Sequence, residues 1–428
     1  MRKQSASLVT VLLGALAAPS FVFAGEAVTY TGTIGKLPVI VELEVPGAGQ
    51  SFVGRYSYMT KASKGGDIPL HGTHAKRAMK LGEEKPCTQE LCTKGEYEVA
   101  EKAPLGPEWS LTASADGKTL IGSWRDGKKQ LPVKLERKAA RELPDMDGFD
   151  KLDPFFAPVR EGDLSVVSER NLPYDFLKLS GPFREGEVHT LGDGAYRMDF
   201  DPRSELEYPV VVRLGDADPS TLNAYLRQQR LQFSLAAYGC RSRAYLGFGW
   251  IPIGVSDSNG YDGSNVTIDY LSPRLMAMTE GGSYFCGGAH PNNFVTHRLV
   301  DAKTGKPFAP ESILRGWVAR NAEGAVVDPA TVDNTSLLTY GPDDELLKFV
   351  LDRITAPPPA SDDDCDLRDL AKTNLGVYVA GEDLIFNLKD LPHAIFACGD
   401  DLVKVPLKDA RPLLTEAGAR YFRELDQQ

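Results

Sequence analysis

The sequence predicts an α+β protein in two parts. The N-terminal part is an all-β small barrel or rolled sheet, and the C-terminal part combines an antiparallel sheet with two or three helices. Residues 25–137 show only short alternating strand patterns, whereas residues 166–428 mix strand and helix patterns. Between them, residues 138–165 are rich in charge and proline, which is typical of a linker. Strands and helices that are set apart rather than alternating indicate the α+β class.

The N-terminal part has the pattern of consecutive antiparallel hairpins. The apolar residues of the stretch 39–45 recur at every second position, so they share one face of a strand. Two Asp-Gly pairs, Asp116-Gly117 and Asp126-Gly127, have the composition of tight hairpin turns. No helical period interrupts this region, and the barrel or rolled sheet follows from that.

Two helices are clear in the C-terminal part. Asp218-Pro219 supplies an N-cap and a proline for a helix that stops at Gly239, and a second helix runs from Asp343 to Ile354. A final short helix is expected over about 409–425, and a strand over 244–250.

Residues 1–24 have the organisation of an export signal. Arg2 and Lys3 precede an apolar run over 8–18 that is too short to span a bilayer, and small residues lead to Ala24. We expect cleavage after Ala24 and a periplasmic or secreted protein without a membrane anchor.

The net charge of −11 limits the classes of partner. Nucleic acids and anionic membrane surfaces are bound by basic patches, so neither is expected as a partner. The acidity suits a cationic partner, and the alternative is that it only keeps an exported protein soluble.

Six cysteines follow the predicted cleavage site, which fits three disulfides in an oxidising compartment. Spacing alone allows several pairings and favours neighbours. The favoured pairs are Cys87 with Cys92, Cys240 with Cys286, and Cys365 with Cys398. A zinc site at the first pair is the alternative, but no second ligand pair lies nearby in the sequence.

The most distinctive stretch runs from Tyr284 to Asn293. Gly287 and Gly288 allow backbone angles closed to other residues, while Pro291 favours an extended conformation at the residue before it. The side chains here that are suited to binding a partner are those of Tyr284, His290, Asn292 and Asn293.

Three roles are open for His290: hydrogen bonding in a strand crossover, recognition of a partner, and catalysis. Catalysis would need a nucleophile or carboxylate that the fold places beside it. Sharing a metal ion with His297 is a further alternative, for which no third ligand is indicated. We assign no catalytic residue, no metal ligand and no cofactor.

Several segments between residues 195 and 425 together resemble the sequence pattern of a known domain family. They are Phe285 to Asn292 with its Gly-Gly-Ala-His-Pro core, Asp301 to Gly305, Ile313-Leu314, Asp383 to Phe386, and Val403 to Leu407. This set resembles the RsiV-like C-terminal domain family, the exported domain of a lysozyme-sensing anti-sigma factor. Glu207 to Val210 and the helix through Asn223 resemble its companion subdomain, which is also found beside peptidoglycan deacetylase domains.

The N-terminal part carries a weaker likeness. Tyr30 to Gly35 and Gly54 to Tyr58 resemble the strand motifs of a small secreted β-module, which implies no activity.

The RsiV-like resemblance implies a non-catalytic α+β ectodomain that binds protein. We therefore expect a soluble periplasmic binding or sensing protein whose partner is lysozyme, another cationic envelope protein, or peptidoglycan fragments. The alternative is a cell-envelope hydrolase with a site around His290.

Overall fold

The structure is a computed structural model, and the part of the chain that it describes has ten ranges. They are 23–45, 50–61, 64–95, 98–144, 152–155, 164–252, 260–287, 290–354, 365–399 and 401–426. Most of the predicted export signal, residues 1–22, lies outside them.

The first eight strands form a closed antiparallel barrel in which each strand pairs with the next and β1 pairs with β8. The strands are β1 (Phe23–Ile34), β2 (Leu37–Glu44), β3 (Ser51–Tyr58), β4 (Ile68–Ala75), β5 (Ala78–Glu84), β6 (Leu105–Ala113), β7 (Thr119–Asp126) and β8 (Lys129–Pro144). Of the two N-terminal architectures that the sequence allows, the structure has the barrel.

Local sequence explains how the barrel strands are joined and how the interior of the barrel is filled. Gly117 and Gly127 adopt φ angles of 69° and 55°, in the turns on either side of β7. These positive angles favour glycine, so the two Asp-Gly pairs do form hairpin turns. The alternating apolar residues point inward, where Val41 and Leu135 pack around Trp109 in one buried cluster. Eight strands enclose a space that side chains can fill.

Strand β8 extends past the predicted end of the barrel region. It continues to Pro144, and its last residues pair with the start of β1. Residues 138–144, which composition assigns to the linker, are therefore strand.

The described residues of the C-terminal part form four small antiparallel sheets rather than one. Their strands are β9 (Val188–Leu191), β10 (Gly194–Asp201) and β11 (Leu206–Leu214); β12 (Gly260–Leu271), β13 (Leu275–Phe285), β14 (Asn292–Asp301) and β15 (Pro307–Phe308); β16 (Trp317–Arg320), β17 (Val326–Val327) and β18 (Thr339–Pro342); and β19 (Leu375–Ala380), β20 (Asp383–Leu388) and β21 (Asp401–Pro406). Mixed with helices, these sheets give the protein a broadly α+β composition.

The helices are mostly short. They are α1 (Gln89–Cys92), α2 (Pro173–Leu179), α3 (Ser220–Ser242), α4 (Asp344–Leu351), α5 (Leu367–Asn374) and α6 (Glu416–Ala419). Helices α3 and α4 correspond to the two that the sequence makes clear, but α3 continues through Gly239 to Ser242, and α4 ends at Leu351 rather than at Ile354. Leu222, Tyr225 and Leu226 of α3 are buried against the β12–β14 sheet. In α4, the Asp343 side chain accepts from the Leu346 amide and caps the helix.

Two expectations about secondary structure are wrong. Residues 244–250 form turns and a short 3₁₀ helix, Leu246–Phe248, instead of a strand. The apolar pattern misleads there because Trp250 is buried although it belongs to no strand; it directly follows the turn at Gly249. Residues 409–425 form 3₁₀ turns around the four-residue helix α6 instead of one helix. Pro412 lies within that stretch and interrupts regular helical hydrogen bonding.

All six cysteines are paired as neighbour spacing favours. The disulfides join Cys87 to Cys92, Cys240 to Cys286, and Cys365 to Cys398. Three intramolecular disulfides are typical of proteins that mature outside the cytoplasm. Among the described residues, no helix is long and apolar enough to cross a bilayer.

A buried charge cluster joins the barrel to the C-terminal part. The Arg55 guanidinium on β3 donates to Glu42 at 2.9 Å, to Asp67 at 3.3 Å and to Asp175 of α2 at 2.8 Å. Lys178 of α2 donates to Asp67 at 2.5 Å. Every carboxylate that Arg55 contacts is itself buried, so the barrel and α2 are held together by largely buried ion pairs.

The cluster continues beyond α2. Arg141 of β8 donates to Glu42 at 2.7 Å, and the Arg203 guanidinium donates to the Lys178 carbonyl and to Asp201. In all, four cations face four carboxylates: Arg55, Arg141, Lys178 and Arg203, with Glu42, Asp67, Asp175 and Asp201. The balanced count allows every charge to remain buried.

Candidate functional sites

The stretch from Tyr284 to Asn293 lies where β13 turns into β14. Phe285 ends β13, and Cys286 is tied by its disulfide to Cys240 near the end of α3. Gly287 has a φ of 87°, which favours glycine because a side chain would be strained there. Gly288 and Ala289 lie outside the described residues.

The four predicted binding residues do not form one site. Tyr284 is paired with Asn292 across β13 and β14, so these two side chains share one face of the sheet. Asn293 pairs with Ser283 and points to the opposite face. His290 is exposed ahead of β14, and its Nδ1 lies 2.9 Å from the Pro291 carbonyl oxygen.

Tyr284 belongs to a half-buried aromatic cluster. Its ring stacks on Tyr261 at 5.2 Å between centroids, and Phe294 and Phe233 close the group. Phe233 comes from α3, so the cluster packs that helix onto the end of the sheet. Much of the surface of the Tyr284 ring is therefore used in packing, and of the two paired residues Asn292 is the more exposed.

The histidine with the most organised surroundings is His297. Its ring lies parallel to Tyr378, with centroids 3.9 Å apart. Thr279 Oγ1 donates to Asp269 at 2.5 Å and lies 2.8 Å from His297 Nδ1. Because the one hydroxyl hydrogen of Thr279 is used by Asp269, Nδ1 must carry the proton and donate to Thr279. Nε2 is then the acceptor, 3.4 Å from the Asn387 amide nitrogen.

Burial keeps His297 neutral. It lowers the pKa of the imidazole to about 4, and burial likewise raises the pKa of Asp269 above its usual value. At neutral pH the hydrogen bonds from Asp269 through Thr279 to His297 therefore fix the tautomer of the His297 imidazole, which remains uncharged.

The metal alternative for His290 and His297 conflicts with the geometry. His297 lies five residues beyond Asn292 along β14, which is roughly 16 Å at about 3.3 Å per residue. His290 precedes that strand, so the two imidazoles cannot share an ion.

A cleft of about 410 Å³ lies beside His297. One wall is the β14 segment 295–298, and the segment 307–311 forms a second boundary. The remaining wall comes from β19 and β20 and the turn after them, through Val377, Asn387, Lys389 and Asp390. The volume falls within the roughly 300–1,000 Å³ typical of ligand sites.

The charges in the cleft are already paired. Lys389 donates to Glu311 at 2.6 Å, and Arg298 donates to Glu280 at 3.1 Å. Both carboxylates are buried, so the cleft offers little uncompensated charge.

A third surface, residues 321–345, combines acids with exposed apolar side chains; we call it the acidic segment. No lysine, arginine or histidine occurs between Arg320 and Lys348. The acids of the segment are Glu323, Asp328, Asp333, Asp343, Asp344 and Glu345. All are exposed except Asp343, which is half-buried.

Three large apolar residues of the acidic segment are exposed to solvent. Leu337 is 69 % exposed, Val326 61 % and Tyr340 52 %. Glu323 and Asp333 form no ion pair with any residue in the described ranges. Exposed apolar groups in a segment that carries several exposed acids are typical of surfaces that bind other proteins, although Arg320 lies opposite Val326 and Thr339 in the neighbouring sheet.

The barrel encloses one further polar group, Glu83. Its carboxylate accepts the indole N–H of Trp109 at 2.7 Å and of Trp124 at 2.5 Å. Burial raises the pKa of Glu83, although the indole bonds oppose the shift. Tyr245, from outside the barrel, packs against the same core. The barrel interior is thus filled by barrel side chains, together with Tyr245, around a satisfied carboxylate.

Sequence reasoning missed the partners of His297 and the acidic segment. Thr279 and Asn387 are 18 and 90 residues from His297, so no local pattern reveals them. The acidic segment did leave a readable signal, because its lack of basic residues is visible in the sequence.

Comparison with known proteins adds no assignment to these surfaces. No protein-family model matches the chain, and no curated protein is significantly similar to it.

Proposed function

We propose that this chain is a non-catalytic extracytoplasmic binding protein that captures a cationic protein on its acidic segment. The observation that carries the proposal is that one segment of the chain combines exposed acids without ion pairs among the described residues, such as Glu323 and Asp333, with Leu337, which is 69 % exposed. Opposite charge would steer a basic partner toward this surface, and the exposed apolar groups would be buried on contact.

Lysozyme is the specific partner that we propose, with other cationic envelope proteins as the wider class. The acidic segment falls within residues 195–425, the region that resembles the RsiV-like family. Peptidoglycan fragments are the competing ligand. Tyr284 and Asn292 are the residues that would bind them, since glycans are bound by aromatic rings and amide side chains. The hydrolase alternative has less support because the His290 ring lies exposed beside the Pro291 carbonyl.

The test is a kinetic measurement of lysozyme binding to the mature chain at low and moderate salt. The charge variant is Glu323→Gln with Asp333→Asn. Its matched control is Glu136→Gln with Glu142→Gln, which removes two exposed acids from the barrel instead. We expect the association rate of the charge variant to fall by about tenfold or more at low salt, while the control stays close to wild type.

A separate variant tests the apolar contribution. Leu337→Ser should accelerate dissociation with little effect on association, because apolar contacts form after the encounter. If wild type does not bind lysozyme, the specific partner is wrong. If the charge variant and its control weaken binding equally, the acidic segment is not the site.

A further inference from the structure

A second binding site, separate from the acidic segment, follows from the edge of strand β14. Over its whole length β14 pairs with β13 on one side. On the other side it pairs with β15 only at Leu299 and Val300. Among the residues that the structure describes, no strand pairs with this second edge between Asn293 and His297.

The direction of the backbone groups along that edge can be read from two hydrogen bonds. The Asp301 amide donates outward to the Lys306 carbonyl at 3.0 Å, and the Ala302 amide donates inward to Arg274 at 3.0 Å. Backbone groups alternate sides along a strand, and β14 has no bulge against β13. The N–H and C=O groups of Asn293, Val295 and His297 therefore point to the open edge.

The open edge borders the cleft rather than a flat protein surface. Beyond β15 the chain leaves the sheet at Pro310, which begins a 3₁₀ helix. The cleft of about 410 Å³ is lined by residues 295–298 of β14, and its lining also includes Lys389 and Asp390. A cleft walled on both sides admits one extended chain, whereas the sheet edge of a second copy would need open space beside β14.

We propose that an extended peptide from a partner protein binds in this cleft by adding a strand to β14. Its backbone pairs with Asn293, Val295 and His297, and its side chains alternate between the two faces of the sheet. Exposed strand edges are usually protected against pairing with other chains, for example by proline or lysine, and β14 contains neither residue.

The walls of the cleft define the chemistry of the peptide. Val295, Phe308 and Val377 offer apolar contacts, and His297 is held neutral. Lys389 faces both Glu311 and Asp390 within 4.0 Å, and Arg298 faces Glu280, so a charged peptide side chain would have to compete with an existing ion pair. The site therefore fits an uncharged segment with small or apolar side chains, in contrast to the cationic partner of the acidic segment.

The test uses a displayed library of random linear peptides, selected against the mature protein. The blocking variant is Val295→Pro, which removes an outward N–H and leaves the β13 ladder intact, as prolines on edge strands do. The matched control is Val295→Thr, which keeps the N–H and the branched side chain. Circular dichroism and the melting temperature establish that both variants are folded.

We expect uncharged peptides to be enriched on wild type and on Val295→Thr. Their affinity for Val295→Pro should be at least about tenfold weaker, since one backbone bond is lost. Hydrogen exchange should show the amides of Val295 and His297 open in the free protein and protected by the peptide. Equal binding to the proline variant, enrichment of charged peptides, or protection of these amides by self-association without peptide would each overturn the proposal.

Discussion

Replacing Arg55 by methionine tests how the barrel is joined to the rest of the chain. Arg55 is 1 % exposed and bonds to three carboxylates, Glu42, Asp67 and Asp175. Methionine fills part of the volume but leaves the buried cluster with an unbalanced negative charge. Breaking a buried ion pair in this way costs about 3–5 kcal/mol, against about 0–1 kcal/mol for an exposed pair.

The measurement is urea unfolding at pH 7, followed by circular dichroism. Arg125→Met is the control, because Arg125 and its partner Glu108 are both exposed. We expect Arg55→Met to lower the free energy of unfolding by about 3–5 kcal/mol and the control by less than about 0.5 kcal/mol. Adding Asp175→Asn to Arg55→Met should restore part of the loss, since it rebalances the cluster. A loss for Arg55→Met no larger than that of the control would refute the reasoning.

Three more predictions concern stability. Burial acts to raise the pKa values of Glu42 and Asp67, but the charges of Arg141 and Lys178 outweigh it and hold both pKa values below their usual range. The contribution of these two carboxylates to stability should therefore be present above about pH 4.5 and be lost as the pH falls below it, whereas Asp175, whose pKa is raised by burial, contributes in the opposite direction. Acid titration of unfolding checks whether the two lowered pKa values outweigh the raised one, and a flat profile would contradict this. Cys240→Ser with Cys286→Ser should lower the free energy of unfolding by about 2–5 kcal/mol in urea, whereas a smaller change would mean that the bridge adds little. Gly65→Ala should lower the melting temperature sharply, because Gly65 has a φ of 76° and an added Cβ would lie 2.0 Å from a buried tyrosine ring. An unchanged melting temperature would show that the turn can relax.

The strands and turns of the N-terminal part were predictable because their information is local, whereas the closure of the barrel depends on the distant pairing of β1 with β8. Period-two strands and the turns at Gly117 and Gly127 lie within a few residues of one another in the sequence. The charge cluster was not, because Arg55 meets Asp175 across 120 residues. Nothing in the composition near α2 distinguishes a buried Asp175 from a solvated one.

The candidate sites divide in the same way. Tyr284 and Asn292 were singled out as binding candidates from a distinctive local motif, and the structure pairs them on one face. The open edge of β14 could not be found from sequence, since it depends on where Pro310 directs the chain away from the sheet. Strand patterns show which residues alternate, and they do not show which edge is left without a neighbour.

The arrangement around Glu83 gives the barrel an optical signal of its own. Trp109 and Trp124, two of the four tryptophans, direct their ring nitrogens at one carboxylate, while Trp250 and Trp317 lie in the C-terminal part. Indole fluorescence responds to charge beside the ring nitrogen, so the ionisation of Glu83 will alter the emission of both barrel tryptophans. With Trp250 and Trp317 replaced by phenylalanine, the remaining emission would report events inside the barrel while a partner occupies a surface elsewhere.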